Sequence, residues 1–292
     1  MQFRKMHGLG NDFVVVDLRG DAPKPDAALV RAVGDRRRGI GFDQFITIEY
    51  DPNPQIAAYM GIWNPDGSRS GACGNATRCV GHLLMAESGA DSVRLRTDFG
   101  VLSCWSAAGG LVRVDMGKPK LDWEDIPVAE ASDTVRVDVK FGPIDAPVLW
   151  GPGAVNMGNP HAVFFVDDAD TFPVDKIGPM VENHPMFPDR TNVEFCTPSG
   201  PNRMRMRVWE RGAGITQACG SGACAAVVAG VRRGLVERKC VVMLDGGPLG
   251  IEWLESGPVM MTGPIAHSFT GTFGPDILAQ AERERQGATK SA

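Results

Sequence analysis

The sequence has only two tyrosines, aromatic residues make up 7% of it, and no run of about 18 apolar residues occurs that could span a membrane. The first residues, MQFRKMHGLGNDF, lack the apolar core and small-residue cleavage site of a secretory signal, so residence in the cytoplasm is expected. Charge of one sign is lacking too. Thirty basic and 35 acidic residues are interspersed and the net charge is −5, which leaves no extended basic face for nucleic acid or an anionic membrane. Arg36-Arg37-Arg38 is the local exception and reads as a solvated turn. The seven cysteines are an odd number in a chain of 292 residues, so a disulfide framework is not expected. No C-x2-C pair occurs; CGNATRC and CGSGAC place five and four residues between their cysteines, a poor match to a zinc site, and no metal is expected.

What is present is strand-rich. A hydrophobic fraction of 43% suffices for two cores. Apolar, β-branched runs at 13–16, 45–49, 93–96, 101–105, 111–116, 135–139, 163–166, 204–209 and 241–244 predict strands, and 75–87 and 221–233 give the two best helical patterns. A weak internal repeat links the halves. Ile62-Trp63, Ser70 and Ala72-Cys73-Gly74 match Val208-Trp209, Thr216 and Ala218-Cys219-Gly220 at one offset of 146 (219 − 73), while Gly10-Asn11 and Gln44 match Gly158-Asn159 and Asn192 at 148 (192 − 44). The matched order predicts two similar domains related by a pseudo-twofold axis. Their expected limits are 1–117, carrying Cys73, and 118–275, carrying Cys219, with the final strand able to return to the first domain. The segment 276–292 reads as a polar tail.

In both halves a strand ending in Trp leads through a Gly-rich turn to Ala-Cys-Gly, and a helix begins. The first amides of a helix have no partner within it and carry the positive end of its dipole, so a cysteine there favours its thiolate. Gly74-Asn75 and Gly220-Ser221 would present N–H groups to an anion such as a carboxylate. Two such helix ends could hold one carboxylate while two sulfurs flank its α-carbon, one thiolate removing the α-proton and the opposite thiol returning a proton. That scheme needs neither a metal nor another cofactor. Either cysteine alone reads more simply as a small buried hydrophobe; the matched contexts favour reactivity. Cys79, Cys104, Cys196, Cys224 and Cys240 have no paired surroundings and are expected to be structural.

These motifs resemble those of the diaminopimelate epimerases. The resemblance runs through MHGLGNDFVVVD, RRRGIGFDQ, NPDGSRSGACGNATRCVG, NMGNPHAV, TNVEF, WERGAGITQACGSGACA and HSFTGTF. It implies an α/β (α+β) fold of two pseudo-symmetric domains, each a highly curved, mostly antiparallel sheet around a central helix, with the active site in the cleft between them. It further implies cofactor-independent conversion of LL-2,6-diaminopimelate to the meso form, in lysine and peptidoglycan precursor biosynthesis, by a homodimer. Carried over by position, Cys73 and Cys219 are the acid–base pair, and His161 and Glu210 assist them. Asn11, Gln44, Asn64, Gly74, Asn75, Asn159, Asn192, Glu210, Arg211, Gly220 and Ser221 match substrate contacts. A substrate with two ammonium and two carboxylate groups needs amide donors and acceptors, and Arg211 offers a planar fork.

Each polar residue also has a local reading, since an Asn in a turn often caps its own backbone and a His often satisfies a nearby hydrogen bond. The sequence departs from the family pattern at Ala76, where Gly is common, and at Ser221, where Thr is common. Proline and hydroxyproline racemases are similar around both cysteines but usually carry His where Asn75 stands. Phe269 in HSFTGTF could lie at a dimer interface or in the core.

Overall fold

A computed structural model of the protein describes residues 1–290 apart from 21, 72, 143, 144, 146 and 147, and for 288–290 the backbone alone. Ala72, the first residue of one Ala-Cys-Gly motif, and positions 291 and 292 of the expected tail lie outside the described residues. Among the described residues there are five α-helices: α1 (Ala27–Gly34), α2 (Gly74–Ser88), α3 (Val174–Glu182), α4 (Gly220–Arg232) and α5 (Pro275–Lys290). The chain divides into two units, Met1–Val112 with Pro264–Ala292, and Arg113–Gly263. The first boundary falls inside the strand Leu111–Asp115.

In the first unit Gln2–Gly8 and Asn11–Asp17 form a hairpin that pairs Gly8 with Asn11. Its two connecting residues, Leu9 and Gly10, both have positive φ (57° and 86°), the type of turn whose twist matches that of the strands. Asn11–Asp17 runs parallel to Gln44–Glu49, which pairs antiparallel with Ala58–Trp63. Ala58–Trp63 in turn lies parallel to Ser92–Thr97, which closes antiparallel on Gly100–Ala107. The returning strand Ala266–Thr272 adds antiparallel to Gln2–Gly8.

The second unit repeats this alternation. Gly153–Asn156 is antiparallel to Pro160–Phe165, which is parallel to Asn192–Pro198. Arg203–Glu210 follows antiparallel, Lys239–Leu244 parallel, and Gly247–Trp253 and Val259–Gly263 antiparallel. The register repeats as well. Phe13 faces Gln44 as His161 faces Asn192, and Trp63 faces Arg69 as Trp209 faces Ile215. Within each unit the strand pairings are therefore mostly antiparallel, and the internal sequence repeat is a repeat of strand order and register.

The helices that follow the cysteines lie against these sheets. In α4 (GSGACAAVVAGVR) all residues from Gly222 to Gly230 are buried, so small side chains on every face let strands approach from several directions. In α2 the buried face runs from Asn75 to Gly81 and adds Leu84 and Met85. Separate apolar layers form with the other helices. Leu29, Val30 and Val33 of α1 pack with Phe3, Phe42, Phe45 and Phe273, while Val174 and Val181 of α3 pack with Val137, Val139, Phe141, Phe164 and Phe195.

Two expected elements differ. The segment 135–139 is not a strand. Val137 and Val139 are buried, but the backbone of this stretch bonds to Pro152 and Gly151 in a loop and joins no ladder. The expected tail is largely helix α5, which packs on α1: Ala281 is fully buried, Ile277 joins the same core, and Arg31–Glu284 and Asp26–Arg285 pair across the two helices.

Candidate active site

Cys73 is the N-cap of α2, in extended backbone at φ −152° and ψ 106°, and its sulfur accepts from the Ala76 amide at 3.4 Å. Cys219 is the N-cap of α4 at φ −112° and ψ 109°, and its sulfur accepts from the Gly222 amide at 3.3 Å. Each sulfur thus does what a Ser or Asp side chain does at a helix start, satisfying one orphan amide. Gly74-Asn75 and Gly220-Ser221 hold the first two helical positions.

Around Cys73 the first unit builds an amide cluster. The thiol lies 3.8 Å from Asn11 Oδ1, which also accepts from Asn75 Nδ2 at 3.1 Å. Asn75 is held from its other end, where Oδ1 accepts from the guanidinium of fully buried Arg78 at 2.9 Å. Asn11 Nδ2 donates to Asp43 at 2.8 Å, and Asp43 also accepts from the Asp12 amide and from Arg36. Arg36 and Lys5 both pair with Asp12. Burial works to raise the Asp12 carboxyl, but these two cations hold it below its ordinary value. Arg36-Arg37-Arg38 is an exposed turn, as expected, and Arg36 is in addition tied into a charged lattice behind Asn11.

The remaining two residues of this half differ from each other. The Gln44 side-chain oxygen is buried and has no hydrogen-bond partner. Asn64 instead caps its own turn, donating to Ser68 Oγ at 3.0 Å.

In the second unit Cys219 is 5% exposed and its sulfur lies 3.6 Å from Ser221 Oγ. Burial raises this thiol well above its usual range, carboxylate charge at Glu210 or Glu194 acts in the same direction, and the bonds from Ser221 and Gly222 only partly offset them. The helix end thus does not by itself make Cys219 a thiolate; loss of solvent outweighs two hydrogen bonds. His161 is fully buried, with Nε2 2.9 Å from Asn159 Oδ1 and Nδ1 2.7 Å from Glu194 Oε1. Glu210 accepts from the Thr216 hydroxyl.

Asn192 has a scaffold role. It accepts from the Arg211 amide at 3.0 Å and donates to the Pro160 carbonyl at 2.9 Å. The exposed Arg211 guanidinium bonds the Asp189 carbonyl at 2.9 Å. Glu182, at the end of α3, fixes the turn that carries Glu210 and Arg211 by accepting from Trp209 Nε1 at 2.7 Å and from the Gly212 amide at 3.0 Å.

Direct contacts thus join Cys73, Asn11 and Asn75 in one unit, and Cys219 with Ser221, Asn159 with His161, and Asn192 with Arg211 in the other. The other cysteines are buried. Burial drives the thiols of Cys79 and Cys104 up to about 12 and that of Cys196 well above its usual value. Among the described residues no group of three or more His, Cys, Asp or Glu side chains could hold a metal ion.

A family model of diaminopimelate epimerase matches residues 3–121 and 153–268. The chain belongs to the diaminopimelate epimerase family. It is 51% identical over 277 residues to the diaminopimelate epimerase of Rhodospirillum centenum, covering 95% of this chain and 94% of that one. It is 52% identical over 269 residues to that of Phenylobacterium zucineum, covering 92% and 96%. Among solved structures, a hydroxyproline epimerase from Agrobacterium vitis with bound trans-4-hydroxy-L-proline aligns with a TM-score of 0.63 over 93% of this chain and 90% of that chain, at 16% identity. That likeness shows the fold alone.

Three further residues that hold these groups were not legible as such in the sequence. Asp43 and Glu182 hold Asn11 and the 210–212 turn, and Glu194 holds His161. Only Glu194 left a trace, as an acidic residue between Val193 and Phe195 in a strand that is buried from Asn192 to Cys196.

Proposed function

We propose that the protein interconverts LL-2,6-diaminopimelate and the meso form without a cofactor, as a step in making lysine and peptidoglycan precursors. The observation that carries this reading is the pair of cysteines capping equivalent helices, each with its sulfur on the third amide. An α-amino-acid C–H is a weak acid, so its removal requires a positioned base and donors for the charge that develops on the carboxylate. The first amides of α2 and α4 are such donors, and an anion is favoured at a helix N-terminus.

In this reading the two sulfurs serve opposite faces of one α-carbon. The thiolate takes the α-proton and becomes a thiol, while the other thiol delivers its proton and becomes a thiolate. Turnover therefore exchanges the two protonation states, and the reverse reaction starts from the exchanged form. Cys219, favoured as a thiol chiefly by burial, is the first donor, and Cys73 is then the first base. His161 and Glu210 assist from behind. Asn11, Asn75, Asn159, Ser221 and the buried Gln44 carbonyl line the polar contacts for the substrate's amino and carboxylate groups, with Asn64, Asn192 and Arg211 completing them.

We also propose that the enzyme works in the cytoplasm as a homodimer. Supporting the dimer, Phe269 is 50% exposed on Ala266–Thr272, a strand whose described ladder is with Gln2–Gly8. Among the described residues no helix is long and apolar enough to cross a membrane.

The reading is tested by incubating purified protein with LL-diaminopimelate and, separately, with L-proline, and resolving stereoisomers by chiral chromatography. Conversion of diaminopimelate alone is expected. Conversion of proline without diaminopimelate would overturn the substrate assignment.

A further inference from the structure

Glu194 is fully buried at the second position along from Asn192, in the strand that runs parallel to the one carrying His161. Its Oε1 faces His161 Nδ1 at 2.7 Å, and its Oε2 is buried with no hydrogen-bond partner. The imidazole thus lies between two oxygens, Glu194 Oε1 on one side and Asn159 Oδ1 on the other. Acceptors at both ring nitrogens require two protons in the array: both on the ring, or one on the ring and one on the carboxyl. In either form the Glu194–His161 pair has no net charge. A bare carboxylate buried with one oxygen unsatisfied would be far more costly.

The same carboxyl oxygen reaches the cysteine. A Cβ on Gly222 would sit 2.6 Å from Glu194 Oε1 and 3.2 Å from Cys219 Sγ, so the two atoms lie within about 6 Å of each other across a residue that has no side chain. At that separation a carboxylate charge opposes formation of a thiolate. The other groups facing Cys219 are Glu210 from the strand Arg203–Glu210, and Ser221 and the Gly222 amide from α4.

We propose that Glu194 is a positioning residue for Cys219, sharing one proton with His161 so that the wall behind the sulfur stays uncharged when the thiol must ionise. This inference deepens the two-cysteine reading and rests on it. The shared proton orients the imidazole with Nε2 toward Asn159 and keeps from Cys219 the full carboxylate charge that would oppose its thiolate. A glutamine at 194 has nearly the same shape but cannot share the proton: its amide donates to Nδ1 and the ring keeps only the proton on Nε2.

The test compares the full-length protein with E194Q in two measurements. Proton NMR with 15N-labelled histidine should show a strongly deshielded, exchange-protected proton at His161 Nδ1 in the wild type and its loss in E194Q. Removing a full carboxylate charge so near the sulfur would speed alkylation of Cys219 by iodoacetamide at least about tenfold, so an already uncharged wall predicts a rate in E194Q within about twofold of the wild type. Absence of the signal from the wild type, its persistence in E194Q, or alkylation of Cys219 at least about tenfold faster in E194Q would each overturn the proposal. A wild type inactive on diaminopimelate would contradict the proposed function instead, and the NMR signal would still decide whether the dyad holds its proton.

Discussion

Cys73 and Cys219 hold the same structural position, each ending an extended segment and capping the helix that follows with its own sulfur, at 3.4 Å and 3.3 Å from the third helical amide. A cap of this kind fixes the sulfur on the helix axis beside the amides that would receive a carboxylate. The two differ in setting: Cys73 is half-buried among the amides of Asn11 and Asn75, whereas Cys219 is buried against carboxylates.

Replacing either cysteine should stop inversion, because the proton removed from one face must be returned to the other. C73A and C219A should each lower kcat by at least about a hundredfold, the smaller contribution typical of a positioned acid or base. The measurement is the initial rate of meso-diaminopimelate formation, with circular dichroism checking the fold. Normal turnover in either variant would contradict the two-base scheme.

Alkylation should separate the cysteines. With substoichiometric iodoacetamide at pH 7, Cys73 should be modified well before Cys219, and Cys79, Cys104 and Cys196 should stay unmodified in the folded protein. Peptide mapping by mass spectrometry reads the order. Equal labelling of Cys73 and Cys219 would contradict the different environments described above.

The C-terminal helix should matter for stability. Ending the chain at Gly274 removes Ala281 and Ile277 from the core beneath α1 and should cost about 1–3 kcal/mol, measured from urea midpoints. The Arg31–Glu284 and Asp26–Arg285 pairs are exposed enough to add little. An unchanged midpoint would mean that α5 does not contribute to the core.

Buried thiols also predict a pH dependence. Cys79 and Cys104, raised to about 12 from an unperturbed 9.0, keep their protons in the folded state at pH values where the unfolded chain has lost them. The folded state then binds more protons, so stability present below pH 9 falls as pH rises toward 12, by up to about 1.4 kcal/mol per unit for each thiol. Denaturant midpoints under reducing conditions should fall between pH 8.5 and 10.5, and less steeply in a C79A/C104A variant.

Much of this was legible in the sequence because it is local. The Ala-Cys-Gly contexts, the Trp before each turn and the small residues of α4 occupy neighbouring positions, and the 146–148 offset reappears as strand register, with Phe13 facing Gln44 and His161 facing Asn192. What was hidden depends on partners distant in sequence. Glu194 acquires its role only because its strand lies parallel to that of His161, and Asp43 only because Asn11 lies beside it. The helix α5 was hidden for a different reason: AERERQGATKSA is polar nearly all round, and its buried contacts reduce to a narrow stripe through Ile277 and Ala281. Val135 to Val139 alternates like a strand, yet its buried valines fill a core from a loop.

The most direct test of the central claim is the fate of the α-proton. LL-Diaminopimelate is incubated in deuterium oxide and sampled early, and deuterium at the reacting carbon is measured in product and in recovered substrate by mass spectrometry and NMR. Two cysteines on opposite faces predict that nearly every meso molecule carries solvent deuterium while the remaining LL substrate keeps its proton. Meso product that retains the original proton, as one base serving both faces would give, would contradict the account.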